Sequence, residues 1–213
     1  MTAEGAQSLE RLRREAASCQ ACPLWKNATQ TVFGEGPSDA GIMLVGEQPG
    51  DREDLVGRPF VGPAGLLLDR ALADAGVDRA RVYVTNAVKH FKFEPRGKRR
   101  LHKRPNAGEI KICRRWLFSE IEAIRPELVV ALGATAAQSL AGRAVAIHSN
   151  RGGLLEMVGG QRALITIHPS ALLRLRDDRE RRSAYDDFVR DLTVAAKYLE
   201  RPEGVAGRRA AHT

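Results

Sequence analysis

Three cysteines among 213 residues are too few for a disulfide scaffold. No apolar run approaches the roughly 18 residues that a membrane span needs. The opening residues, Met-Thr-Ala-Glu-Gly-Ala-Gln, lack the basic and apolar regions of a signal peptide. We therefore expect a cytoplasmic protein with reduced thiols and no membrane partner. In that setting the Cys19-x-x-Cys22 pair suggests a metal or redox site rather than a bridge. The hydrophobic fraction of 43% excludes wholesale disorder.

What is present in excess is positive charge. The chain holds 34 Lys and Arg against 26 Asp and Glu, a net charge of +8. The excess is local. Residues 89–104, KHFKFEPRGKRRLHKR, carry eight basic residues and one acid, which leaves 26 bases against 25 acids elsewhere. A solvated loop would account for such a run, but one concentrated basic loop is also the footprint of phosphate contact.

Strand-like and helix-like segments alternate along the chain. Residues 41–46, 81–85, 127–132 and 163–167 are short apolar runs that predict four buried strands. Helices are expected over 7–18, 63–76, 107–124, 134–141 and 179–199; Pro63 opens the second and Pro126 limits the third. The pattern predicts one α/β domain over residues 1–200, with a mostly parallel four-stranded sheet covered by helices on both faces. Residues 201–213 are small, polar and unpatterned, and are expected to form a flexible tail. In open parallel sheets, ligands sit beyond the carboxyl ends of the strands. The residues there are Gly46-Glu47-Gln48-Pro49-Gly50-Asp51, then Asn86, then His168-Pro169-Ser170.

These segments resemble the uracil-DNA glycosylase superfamily over roughly residues 15–195. The resemblance is carried by GEQPG at 46–50, GRPFVGPAG at 57–65, TNAVK at 85–89, ALGATA at 131–136 and HPS at 168–170. Cys19-x-x-Cys22 and Cys113 are similar to its iron–sulfur branch, which usually has a fourth cysteine directly after the NxVK segment. His90 stands there instead. The basic insertion with KRRLH at 98–102 is similar to the uracil-DNA cross-linking type, UdgX.

The resemblance implies a 4Fe–4S cluster on Cys19, Cys22, His90 and Cys113. A Cys3His zinc site uses the same ligand types, so the residues alone leave zinc open. It implies uracil-containing DNA as the partner, single-stranded DNA preferred, free uracil as a product, and a monomer. Asn86 is suited to the uracil edge, because its amide has both a donor and an acceptor. Phe60 would stack on the flipped base. Gln48 and its backbone, beside Gly46, would contact that base; Asp51 would hold the loop or a water. His168 would donate to uracil O2 as charge develops, with Ser170 nearby. Glu47 would lie near the sugar. His102 would capture the abasic sugar covalently, and Glu47 could take its ring proton. Lys98, Arg99, Arg100, Lys103 and Arg104 would hold phosphates. After HPS, Leu172 or Leu173 could wedge into the vacated stack, with Arg174 on a phosphate. Three rivals remain: a turnover glycosylase that uses water, a catalytically idle iron–sulfur DNA-binding protein, and a thiol redox protein.

Overall fold

The computed structural model describes residues 3–199. The expected tail at 201–213 lies outside them. The elements are α1 (Ala3–Ala17), β1 (Ile42–Gly46), α2 (Asp51–Val56), α3 (Pro63–Asp74), β2 (Val82–Asn86), β3 (Phe93–Arg96) and β4 (Arg99–His102). There follow α4 (Ala107–Ile124), β5 (Leu128–Leu132), α5 (Ala134–Ala141), α6 (Ile147–Asn150), β6 (Leu154–Glu156), β7 (Arg162–Thr166), α7 (Pro169–Leu172) and α8 (Asp178–Leu199).

The central sheet has the order β2-β1-β5-β7-β6. Its first four strands are parallel, and β6 joins the edge antiparallel to β7. The sheet thus has five strands, not the four expected. The fifth is only three residues long and lies between Gly152-Gly153 and Gly159-Gly160. So short a run offers no period for a sequence reading to detect.

Alternation along each strand divides the core in two. Met43 and Val45 face a cluster with Ile110, Cys113 and Leu117 of α4 and Leu140 of α5. Ile42 and Leu44 face Leu68 and Leu72 of α3 and Phe188 and Leu192 of α8. Both faces of the sheet are therefore covered, as a buried parallel sheet requires. Among the described residues no helix is long and apolar enough to cross a membrane.

The basic segment expected as a loop is a ribbon. β3 and β4 pair antiparallel, Phe93 opposite His102, around a Gly97-Lys98 turn. A glycine leading a two-residue turn suits the twist of a hairpin. Just beyond, Asn106 and Glu109 cap α4 reciprocally. Asn106 Oδ1 accepts the Glu109 N–H at 2.9 Å, and Glu109 Oε2 accepts the Asn106 N–H at 2.7 Å.

Candidate active site

The register of β1 on β2 sets Gly46 directly opposite Asn86. A Cβ at residue 46 would lie 2.4 Å from Asn86 Oδ1 and 2.7 Å from Phe60 Cζ. Only glycine lets that amide and that ring approach each other here. Phe60 itself takes a left-handed backbone, φ 56, which is uncommon for a bulky residue. Gly65 allows it, since a Cβ there would sit 1.7 Å from the Phe60 carbonyl oxygen. Glu53 ties the two loops together, accepting the Gly50 N–H at 3.1 Å and the Gly62 N–H at 2.8 Å.

Asn86, Phe60, Gln48, Asp51, His168 and Ser170 line a cavity of about 360 Å³. A second cavity of about 730 Å³ adjoins it and holds Glu47, Gly133 and Arg104. Gln48, His102, His168, Ser170 and Leu173 line both. The residues after three different strands thus meet in one cleft, where the order of the strands reverses between β1 and β5.

His168 precedes α7, and its Nδ1 accepts the Ser170 N–H at 3.1 Å. The Nδ1 lone pair is therefore engaged, and the neutral ring carries its proton on Nε2. Burial first, then the charges of Arg174 and His102, pull its pKa down to about 4. The ring is a neutral donor near pH 7. It stacks with Phe60, ring centres 6.2 Å apart at 24°.

His102 closes β4 and reaches the junction of the two cavities. Its Nε2 lies 3.3 Å from Glu47 Oε1. Glu47 Oε2 accepts the Thr135 hydroxyl at 2.5 Å. The ribbon is fastened at its base by Gln48. Nε2 of Gln48 donates to the Lys92 and Lys103 carbonyls, both at 3.1 Å, and its Oε1 accepts the Lys92 N–H at 3.2 Å. The Gln48 side chain expected on the base is thus engaged with the ribbon, and its backbone is what remains for a ligand.

Arg100, expected on phosphate, is paired within the protein. Nε lies 2.5 Å from Asp51 Oδ1 and one terminal nitrogen 2.6 Å from Asp54 Oδ2. Its guanidinium also stands over the rings of Phe91 and Phe93 at 5.4 and 5.1 Å. Asp51 accordingly holds the ribbon, and Lys103 pairs with Glu94 at 2.6 Å. Lys98 and Arg99 are exposed and make no ion pair among the described residues. Of the two wedge candidates, Leu172 is buried at 1% exposure and Leu173 stands out at 49%. Arg174 folds back, donating to the Ser170 carbonyl at 3.1 Å and hydroxyl at 2.9 Å.

Among the described residues no three Cys, His, Asp or Glu side chains form a metal-binding group. The thiols nevertheless share one core, with Cys22 and Cys113 inside it and Cys19 packed against it. Two sulfurs accept N–H groups at 3.2 Å, Cys19 from the Trp116 indole and Cys113 from the Lys89 backbone. Burial pushes Cys22 up and Cys113 to about 11. Burial also raises Cys19, but hydrogen bonds from Ala21 and Trp116 and the Arg115 charge outweigh it and lower its pKa. As a donor set the three thiols suit a thiophilic metal group. The Nε2 of His90 pairs with the Thr31 hydroxyl at 2.9 Å.

Sequence reasoning missed Thr135, Asp54 and the pair behind Asn86. Lys89 Nζ donates to Glu120 Oε2 at 2.5 Å and to the Asn86 carbonyl at 2.9 Å. Lys89 is 1% exposed and Glu120 0%. An acid in the middle of a helix reads as solvated, and no local signal marks it as buried.

A site of this kind, fixed dipoles beyond the ends of parallel strands around a slot with an aromatic floor and a free amide, is one that binds and acts on a nucleobase. The family model for the uracil DNA glycosylase superfamily matches residues 33–193, and the chain belongs to that superfamily. It is 41% identical over 181 residues to a type-4 uracil-DNA glycosylase of Thermotoga maritima, covering 84% of this chain and 91% of that one. It is 39% identical over 173 residues to a type-4 uracil-DNA glycosylase of Pyrobaculum aerophilum, covering 78% and 85%. A type-5 uracil-DNA glycosylase from the same organism is 34% identical over 158 residues, 64% of each chain.

Proposed function

We propose that this protein excises uracil from single-stranded DNA and captures the resulting sugar on His102, acting as a monomer. The observation that carries the capture step is the placement of His102 beside Glu47, 3.3 Å apart at the junction of the two cavities.

The flipped base enters the smaller cavity against Phe60, and the free amide of Asn86 pairs with its O4 and N3–H edge. A cytosine would present the reverse polarity and leave buried groups unpaired. When the N-glycosidic bond breaks, its electron pair goes to the base and the sugar becomes oxocarbenium-like. The Nε2–H of His168 donates to O2 of the departing anion, a dipole placed before the charge appears. Uracil leaves after taking a proton from solvent. The carboxylate of Glu47 stabilises the sugar cation. A lone pair of the His102 ring then forms a bond to C1′, while the proton on its other nitrogen passes to Glu47. The product is an N-glycosyl imidazole. It persists because the ring is a poor leaving group unless it is reprotonated.

Cys19, Cys22 and Cys113 would hold a 4Fe–4S cluster, which when bound pins the N-terminal segment to α4 and the start of the ribbon. His90 would serve as the fourth ligand through Nδ1 with its Nε2–Thr31 bond kept, or through Nε2 with that bond given up. Iron and sulfide analysis of purified protein checks this, and zinc without iron would overturn it.

The function is tested by mixing the protein with labelled single-stranded DNA that carries one uracil, then running a denaturing gel. The expected result is a band that survives heat and SDS, requires uracil rather than thymine, and is lost in His102→Ala. Alkali-labile sites without that band would show turnover with water and overturn the capture step. Shifted DNA in a native gel with intact uracil would leave a binding protein only.

A further inference from the structure

The crevice where the strand order reverses is crossed by one short side-chain bond. Glu47 follows β1, and Thr135 is the second residue of α5, which follows β5. Their oxygens are 2.5 Å apart. Thr135 is 1% exposed. Thr135 stands in the first turn of α5, where no preceding turn offers its hydroxyl a carbonyl. Here the hydroxyl leaves its own helix for a neighbouring strand end.

The direction of the bond is fixed by its neighbours. A hydroxyl has one proton and two lone pairs, and an ionised carboxylate can only accept. Arg104 Nε donates to Thr135 Oγ1 at 3.2 Å, which occupies a lone pair. The hydroxyl proton therefore points to Glu47 Oε2. The same Arg104 Nε lies 3.9 Å from that oxygen. Guanidinium, hydroxyl and carboxylate form a chain in which each donor polarises the next.

The last torsion of a glutamate is broad, with no sharp rotamer of its own. Pinning Oε2 removes that freedom and leaves Oε1 facing His102. We propose that Thr135 is a positioning residue of the reaction: it holds the Glu47 carboxylate in the one orientation that serves both the sugar cation and His102. This deepens the function proposed above and rests on it.

The test is a double-mutant cycle under single-turnover conditions, with protein in excess over single-stranded DNA bearing one uracil. Base loss is read as alkali-labile sites plus adduct, and the adduct alone on a denaturing gel. Thr135→Val keeps the shape and removes the hydroxyl. We expect its maximal rate of base loss to fall roughly tenfold or more, as for a lost hydrogen bond to a charge. The half-saturating protein concentration should stay within about twofold of wild type, because binding is not what the hydroxyl serves. Thr135→Ser should stay within about threefold of wild type in rate. In Glu47→Gln the further change Thr135→Val should cost less than about twofold, since coupled residues are not additive. Thr135→Ala serves if the valine variant fails to fold, and thermal melting establishes which variants are native.

A wild-type rate in Thr135→Val, no effect of Glu47→Gln, or full additivity of the two would overturn the role of Thr135. Wild-type protein that yields alkali-labile sites but no adduct would overturn capture by His102, while the cycle still reads Thr135 on base loss. Wild-type protein that leaves uracil intact would overturn both.

Discussion

Asn86 and His102 face one cleft, and they are held there by opposite means. Asn86 ends β2, the outer parallel strand of the main sheet, is 3% exposed, and has its backbone carbonyl bonded by a buried ammonium. His102 ends a strand of a two-stranded ribbon, and about half of its side chain is exposed. An isolated two-stranded ribbon is marginally stable in water. This one is held by bonds to other parts of the molecule: Gln48 at its base, Arg100 to Asp51 and Asp54, and Lys92 to Glu109 at 2.9 Å. The half of the site proposed to read a base is built into the sheet, where close packing holds it. The half proposed to bond the sugar is carried on an arm fastened by side chains. A reader must discriminate between bases by the pattern of donors and acceptors on one edge, whereas an arm must approach a backbone that arrives from solvent.

The largest effect expected falls on the sheet half. Lys89→Met strands Glu120, whose carboxylate keeps only the Tyr83 and Thr85 hydroxyls and the Gly34 N–H as donors. Breaking a buried pair from one side costs about 3–5 kcal/mol, and the midpoint of urea denaturation should drop accordingly. An unchanged midpoint would mean that the strand end is not held as described.

Arg100→Ala probes the arm. It should slow adduct formation by about tenfold to a hundredfold, the range of one to two charge-assisted hydrogen bonds. The affinity for free uracil, whose contacts are proposed to come from Asn86 and Phe60, should change little. Equal losses in both measurements would show that the two halves are not separable.

A third measurement uses pH. The unfolded imidazole titrates near 6.5, while burial holds His168 down to about 4 in the folded protein. Between those values the unfolded state takes up a proton that the folded state does not. Stability should therefore fall as pH drops from about 6.5 toward 4. The slope should be shallower in His168→Gln, and equal slopes would show that the ring is not held neutral.

The smallest effect belongs to the tip of the ribbon. Lys98→Ala and Arg99→Ala should each weaken DNA binding and reduce the slope of log affinity against log salt by about 0.7, as for one single-strand phosphate contact. The same change at Arg100 should alter the salt slope least, because its charge is already paired.

Much of the site was legible because strand ends announce themselves. Short apolar runs ending at Gly46, Asn86 and His168 placed three loops on one edge, and the structure brings them into one cleft. His102 and Glu47, far apart in sequence, were expected to meet, and they do. Charge counting did not reveal the carboxylates that pair with Arg100. A run of basic residues gives the number of cations but not their partners, and Asp54, buried at 0% exposure, is invisible as a partner in a linear reading. The fifth strand was too short to carry a pattern. His90 was placed with the cysteines by its position in the chain, and its ring pairs with Thr31.

The amino-acid sequence by itself determined the alternation of strands and helices, the two-sided burial of the parallel sheet, and the residue types at the strand ends. These follow from local periodicity and from what each side chain can donate or accept. Tertiary structure decided which of those groups remain free for a ligand. Gln48, Arg100 and Arg174 are bonded within the protein, whereas the Asn86 amide is left for a ligand. That division depends on distances between segments distant along the chain, and no local pattern carries them.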